Sequence, residues 1–155
     1  MPWKWEFNYS NHGNYVFSNR ATIEPAKIPP EFVQRIKQAD GSPIARKLTG
    51  QSLLNWLTRH YKLPHVKLEL DDQPRVKRDN FEIHGWYYPS TSIIRIYNRT
   101  AERGAIIADG RFIETLIHEF MHHFDTWGLH IESIHTSGFY KRMSTLRDCL
   151  YNKNQ

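Results

Sequence analysis

Apolar residues recur at helical spacing in two segments of the C-terminal half of the chain. The first segment follows Asp109, a residue type that suits an N-cap, and predicts a helix that ends near Gly128. The second predicts a helix whose apolar positions are spaced four, three and four residues apart. The apolar residues are Ile113, Leu116, Ile117, Phe120, Met121 and Phe124 in the first helix and Phe139, Met143, Leu146 and Leu150 in the second.

The middle of the chain shows a helical pattern and then alternation with period two. Three leucines share one face of the segment from Gly50 to Tyr61, which has Thr49 as its predicted N-cap and is ended by Pro64. Three strands are predicted after it, at Val66–Leu70, Phe81–Tyr88 and Ser92–Tyr97. These elements predict an α+β fold, in which a backing helix, a small sheet of three to four strands and two C-terminal helices follow one another.

The N-terminal third of the chain is harder to interpret. Pro, Asn and Gly punctuate residues 1–48, which we expect to form an irregular wrap, with a short helix opening at Pro30. A length of 155 residues suits one domain. We therefore predict a single domain over 1–155, with its catalytic core at 49–152.

Composition narrows the class of protein. Hydrophobic residues make up 39% of the chain and aromatic residues 14%, which predicts a folded domain. The net charge of +5 favours polyanionic partners, but the basic residues are dispersed, so DNA is a candidate partner only. One cysteine, Cys149, excludes an intrachain disulfide and a cysteine-based zinc ribbon. The sequence shows no apolar run typical of a signal peptide or a membrane span, so we expect a soluble, cytoplasmic protein. We also expect a monomer.

The pattern His-Glu-x-x-His occurs once, at His118, Glu119 and His122. Residues four apart on a helix lie one above the other, so the two histidines can coordinate one metal ion. The glutamate beside them can act as general base towards a zinc-bound water. Five of the nine histidines lie between His118 and His135, which favours a metal site over isolated surface histidines.

Catalytic zinc sites use three protein ligands and leave a fourth position open. The candidates for the third ligand are Asp125, His130 and His135, with Glu132 as an outsider. Asp125 lies on the same helix as His122, which better suits a residue that holds an imidazole ring in place. His135 follows a connection long enough to return to the metal and precedes an anchored helix, so we prefer it to His130.

The sequence from His118 to His122, followed by His135-Thr-Ser-Gly-Phe139, resembles the SprT-like family of zinc metallopeptidases, in its compact bacterial form without a C-terminal zinc ribbon. The resemblance covers about residues 50–150 and includes the order of elements. It implies a minimal zincin-like fold, one zinc ion on His118, His122 and His135, and Glu119 as the catalytic base. It also implies peptide-bond hydrolysis, with the strand Ser92–Tyr97 as the sheet edge to which a peptide or protein substrate adds.

Other interpretations stay open at this point. The chain could be a non-catalytic, metal-stabilised module that binds nucleic acid or protein, or a hydrolase of a non-peptide bond. The presence of Glu119 favours catalysis, because a structural metal site needs no general base. Tyr97, Tyr140 and Arg142 are candidates for stabilising an oxyanion, although packing is the commoner role of a tyrosine.

Overall fold

Five α-helices and a small mixed sheet are found in the computed structural model, which describes residues 11–74, 77–78, 81–82 and 84–152. The fold is α+β, as predicted. The helices are α1 (Asn11–Arg20), α2 (Glu31–Gln38), α3 (Pro43–His60), α4 (Asp109–Trp127) and α5 (Ser137–Leu150). The strands are β1 (Lys67–Pro74), β2 (Lys77–Arg78), β3 (Phe81–Glu82), β4 (Gly85–Tyr88) and β5 (Ile93–Arg99).

The main sheet has the strand order β1-β5-β4, with β1 parallel and β4 antiparallel to the central β5. The prediction that the strand Ser92–Tyr97 forms the sheet edge is therefore wrong, because β5 is hydrogen-bonded on both sides. The predicted strand Phe81–Tyr88 is divided: β3 pairs with β2 in a separate two-stranded sheet, whereas β4 joins the main sheet. Ile83, between them, lies outside the described residues.

The core lies between the main sheet and the helices α3 and α4. Alternate residues of β5, namely Ile94, Ile96 and Asn98, are buried, as expected for a strand with one face on the core. The leucines predicted to share a face of α3 are also buried, and so are all the apolar residues predicted to face inward on α4 and α5.

The N-terminal residues are more regular than predicted. Within residues 1–48, the structure has α1, α2 and the first turns of α3, so an irregular wrap is wrong for these parts; residues 1–10 lie outside the described residues. The helix at Pro30 is confirmed, because α2 begins at the next residue. Helix α3 begins earlier than predicted, since Ser42 is its N-cap and accepts a hydrogen bond from the Ala45 N–H.

A buried arginine fixes the start of α4. Arg46, on α3, donates to Asp109 Oδ1 at 2.9 Å and to the Ile107 carbonyl at 2.7 Å. It also donates to Asn98 Oδ1 at 2.8 Å, which ties α3 and α4 to β5. Asp109 is thus the first residue of α4 and an ion-pair partner, and the N-cap position predicted for it is taken by Ala108.

No helix among the described residues combines the length and apolar character that a membrane span requires.

Candidate metal centre

Three imidazole rings converge on one point between α4 and the segment before α5. The Nε2 atom of His135 lies 3.1 Å from Nε2 of His118 and 3.0 Å from Nε2 of His122. His118 and His122 are one helical turn apart, with ring centroids separated by 5.0 Å. Potential ligand atoms of the three residues all lie within 4.8 Å of one another. The three histidines are therefore close enough to hold one metal ion.

The donor set fits a cation better than it fits a hydrogen-bonded trio. In a neutral imidazole each ring nitrogen carries either one N–H or one lone pair, so the Nε2 of His135 can make one well-directed hydrogen bond, as donor or as acceptor, with only one of its two neighbours. At least one pair of nitrogens would then face each other without a proton between them. Bonds of about 2.0–2.1 Å to a tetrahedral ion place such nitrogens about 3.3 Å apart, near the spacing found here.

The electrostatic environment keeps two of these rings neutral. Burial, followed by the nearby His135 and His84, lowers the pKa of His118 to about 4. Burial, followed by His118 and His135, lowers the pKa of His122 to about 3. Because a metal ligand must offer a lone pair, rings that stay unprotonated at neutral pH are prepared for coordination.

Glu119 stands beside the histidine pair on α4 and is 6% exposed. Burial raises its pKa to about 8. A carboxyl group in this setting changes its ionisation with the charge next to it, since a neighbouring cation favours the carboxylate. The position suits a group that exchanges protons near the three histidines.

Phe139 lies next to the centre, and its ring packs against all three imidazoles. The ring centroids are 5.2 Å from His118, 4.7 Å from His122 and 5.2 Å from His135. Phe139 is fully buried, so the packed face of α5 determines where the three rings can lie. The buried Phe139 thus anchors α5 next to His135, as the preference for His135 over His130 assumed.

The segment that carries His135 is held by α1. Thr136 caps α5 by accepting from the Phe139 N–H, and its Oγ1 lies 2.7 Å from Oγ of Ser18. Asn19 accepts hydrogen bonds from Ser137 Oγ and from the N–H of Gly138. The last turn of α1 is therefore docked on the first turn of α5, directly beyond the third histidine.

The sheet edge nearest to Glu119 is β4. The Tyr97 N–H donates to the His84 carbonyl at 3.0 Å, and by the alternation of an antiparallel ladder Trp86 and Tyr88 also bond to β5. Gly85 and Tyr87 then direct their backbone N–H and C=O groups away from β5. No other described strand pairs with that side of β4.

The other candidate ligands stay outside the centre. Asp125 is fully buried and accepts hydrogen bonds from Arg142 and Ser133. His130 is exposed, with a φ of 56°, in the connection between α4 and α5, and Glu132 is exposed in the same connection. Neither belongs to the cluster formed by the three histidines.

The three residues suggested for oxyanion stabilisation differ in position. Arg142 is wrong for that role, since its side chain is 1% exposed and paired with Asp125. Tyr97 alternates with the buried residues of β5, so its side chain lies on the sheet face away from α4. Tyr140 is about half exposed, with its ring centroid 6.0 Å from that of His135 and 6.4 Å from that of His118.

Two residues near the centre, His84 and Ser133, are not among those that the sequence analysis identifies. His84 immediately precedes β4 and is close enough for its charge to lower the pKa of His118. Ser133 lies in the α4–α5 connection, with its Oγ 2.7 Å from Nδ1 of His122. A lone histidine before a strand and a serine in a loop carry no local pattern that marks them as neighbours of a metal site.

Comparisons of the chain with protein-family models, with curated proteins and with solved structures find no significant match. The interpretation of the site therefore depends on its own geometry.

Proposed function

We propose that this protein is a zinc-dependent metallopeptidase of the SprT-like kind. In this proposal His118, His122 and His135 hold one zinc ion and Glu119 is the general base. The observation that carries it is the convergence of three Nε2 atoms, with contacts of 3.0 and 3.1 Å, beside a buried glutamate. Three histidines with an open side are the donor set of a catalytic zinc site.

Zinc, when bound in such a site, lowers the pKa of water towards neutrality and polarises a carbonyl group. The role of Glu119 is to accept a proton from the attacking water and to return it to the leaving amine. Its raised pKa of about 8 applies to the metal-free protein. Beside a divalent cation the carboxyl is ionised at lower pH, because opposite charge favours the carboxylate, and it can then act as a base.

The substrate class proposed is an extended peptide or an unfolded protein. Support comes from the free side of β4, where Gly85 and Tyr87 present backbone groups next to the helix that carries Glu119. A peptide that pairs with this edge is held through main-chain hydrogen bonds and lies across the metal site. The order of a backing helix, a mixed sheet, a helix with the His-Glu-x-x-His pattern and a helix introduced by the third histidine supports a minimal zincin-like fold.

The experiment is a hydrolysis assay with an unfolded protein substrate. Protein stripped with a chelator should be inactive, and one equivalent of zinc per chain should restore cleavage. Parallel reactions with and without DNA ask whether a polyanion stimulates the zinc-loaded protein. If zinc binds but no peptide bond is cleaved under any of these conditions, the non-catalytic, metal-stabilised module becomes the better interpretation.

A further inference from the structure

A hydrogen-bonded chain leads from His122 into the interior of the protein. Nδ1 of His122 lies 2.7 Å from Oγ of Ser133, and this Oγ donates to Asp125 Oδ2 at 2.8 Å. Nη2 of Arg142 donates to both oxygens of Asp125, at 3.0 and 3.1 Å. The chain therefore connects an imidazole of the candidate metal centre to a buried ion pair through one serine.

The hydrogen bonds in this chain have only one consistent direction. Burial raises the pKa of Asp125 to about 6, and Arg142, which donates to both of its oxygens, opposes that rise, so at neutral pH the side chain is a carboxylate that accepts and does not donate. The Ser133 hydroxyl must then be the hydrogen-bond donor to Asp125. Its oxygen is left to accept from His122, which places the imidazole proton on Nδ1 and leaves a lone pair on Nε2, the atom that faces His135.

The end of this hydrogen-bond chain that lies farthest from His122 is the buried pair Asp125–Arg142, which is held rigidly. The side chains of Asp125 and Arg142 are 0% and 1% exposed. Arg142 also donates from Nη1 to the backbone carbonyls of Ser18 and Ala21, at the end of α1. Helices α1, α4 and α5 thus meet at this pair, and breaking a buried ion pair is costly because it leaves an uncompensated charge.

We infer that Ser133 is a positioning residue of the metal centre, which fixes the tautomer and ring orientation of His122 by linking it to the Asp125–Arg142 pair. The inference rests on the proposed function, since it assigns a role towards the metal. Partners of the second imidazole nitrogen commonly tune metal sites in proteins, often as carboxylates. Here the charge of the Asp125 carboxylate is balanced by Arg142, and the group in contact with His122 is the neutral hydroxyl of Ser133. The hydroxyl therefore orients the imidazole ring of His122 without placing a negative charge next to it.

The test compares Ser133→Ala with Ser133→Thr, which keeps the hydroxyl, and with Ser52→Ala as a matched control. The Ser52 hydroxyl donates to the Leu48 carbonyl on the exposed side of α3, a helix that carries none of the three histidines. Two quantities are measured: zinc affinity by competition with a chromophoric chelator, and the tautomer of His122 in the metal-free protein by imidazole nitrogen NMR. Thermal unfolding of each metal-free variant serves as the check on folding.

We expect Ser133→Ala to weaken zinc binding by about 10–100-fold, the effect typical of losing such a partner, with the unfolding midpoint nearly unchanged. The Nδ1–H tautomer of His122 should give way to a mixture. Ser133→Thr should recover most of the affinity, and Ser52→Ala should match the wild type. Wild-type zinc affinity and an unchanged tautomer in Ser133→Ala would overturn the inference.

These measurements test the proposed function and the role of Ser133 independently of each other. If wild-type protein binds no zinc, the proposed function is wrong, and the tautomer measurement on the metal-free proteins still decides whether Ser133 orients His122. If wild-type protein binds zinc and Ser133→Ala binds it equally well, only the role of Ser133 is lost.

Discussion

The backbone of Gly85 passes against the side chain of Glu119, so that a β-carbon added at Gly85 would lie 3.5 Å from Cγ of Glu119. The same carbon would be 2.8 Å from the Arg95 carbonyl oxygen and 3.0 Å from Cγ2 of Thr115. Glycine at this position therefore allows the edge strand β4 to approach the helix that carries Glu119. In the proposed function, the distance between a peptide paired with β4 and Glu119 depends on this approach.

Gly85→Ala should disturb the pairing of β4 with β5, because the added β-carbon meets the Arg95 carbonyl oxygen on β5, which cannot rotate aside. Its contact with Thr115 should also push β4 away from α4. We expect a loss of about 1–3 kcal/mol in the free energy of unfolding, as for other overpacked sites. Hydrolysis should fall further than stability alone explains. Urea unfolding and turnover of the zinc-loaded variant measure the two effects.

Gly110→Ala is the matched control for this substitution. A β-carbon at Gly110, in the first turn of α4, meets nothing within 4 Å. It should be neutral or slightly stabilising, since alanine favours helix over glycine by about 1 kcal/mol. Equal effects of Gly85→Ala and Gly110→Ala would show that the close contact at Gly85 has no consequence.

His135→Ala should abolish tight zinc binding, whereas His130→Ala should leave it nearly unchanged. His135 contributes one of three converging nitrogens, and His130 is exposed outside the cluster. The loss at position 135 should exceed the roughly 10–100-fold typical of a partner outside the coordination sphere. Zinc titrations of the two variants make the comparison, and the opposite ranking would contradict the assignment of the third ligand.

Gly138→Ala should detach α1 from α5. A β-carbon there would lie 2.6 Å from Cα of Asn19 and closer still to the Ser18 carbonyl, both of which belong to the backbone. We expect faster amide exchange in α1 and weaker zinc binding, because Ser18 and Asn19 hold the segment that follows His135. Hydrogen exchange with unaltered protection in α1 would contradict the docking of this helix.

The stability of metal-free protein should depend on pH through Glu119. Its pKa rises from an ordinary value of 4.5 to about 8 on folding, because burial disfavours the carboxylate. A group with a raised folded-state pKa stabilises the fold fully below about pH 4.5, and this contribution is lost as pH increases towards about 8. Glu119→Gln lacks this loss.

The difference between wild type and Glu119→Gln isolates that contribution, since both proteins keep the same histidines. The stability of the variant relative to wild type should increase between pH 4.5 and pH 8, by of order 4 kcal/mol for a pKa that rises from 4.5 to about 8. Urea unfolding with a chelator present, at several pH values, measures this gain. A constant difference across the range would mean that Glu119 ionises normally in the folded protein.

The local parts of the site could be predicted from the sequence. His118, Glu119 and His122 belong to one amphipathic helix, where spacing alone sets their relation. His135 could be preferred because Phe139, Met143 and Leu146 anchor the next helix, and all three are buried. Such inferences need only the period of a helix and the direction of its apolar face.

Non-local relations were not accessible in the same way. The family resemblance implied an edge strand at β5, and nothing in the sequence of β5 reveals that β1 pairs with it from the other side. Helix α1 was missed because it has no apolar stripe: it buries Asn14 and Ser18, while Tyr15 and Phe17 are about half exposed. Its docking uses hydrogen bonds to α5, which leave no periodic pattern.

In the proposed mechanism, Glu119 performs proton transfer beside a zinc ion held by three histidines. The most direct measurement determines zinc content and turnover on an unfolded protein for wild type and Glu119→Gln in parallel. Both proteins should hold about one zinc per chain, and only the wild type should cleave, because the amide keeps the shape of the side chain but cannot accept a proton at neutral pH. Cleavage at the wild-type rate by zinc-loaded Glu119→Gln would contradict the account.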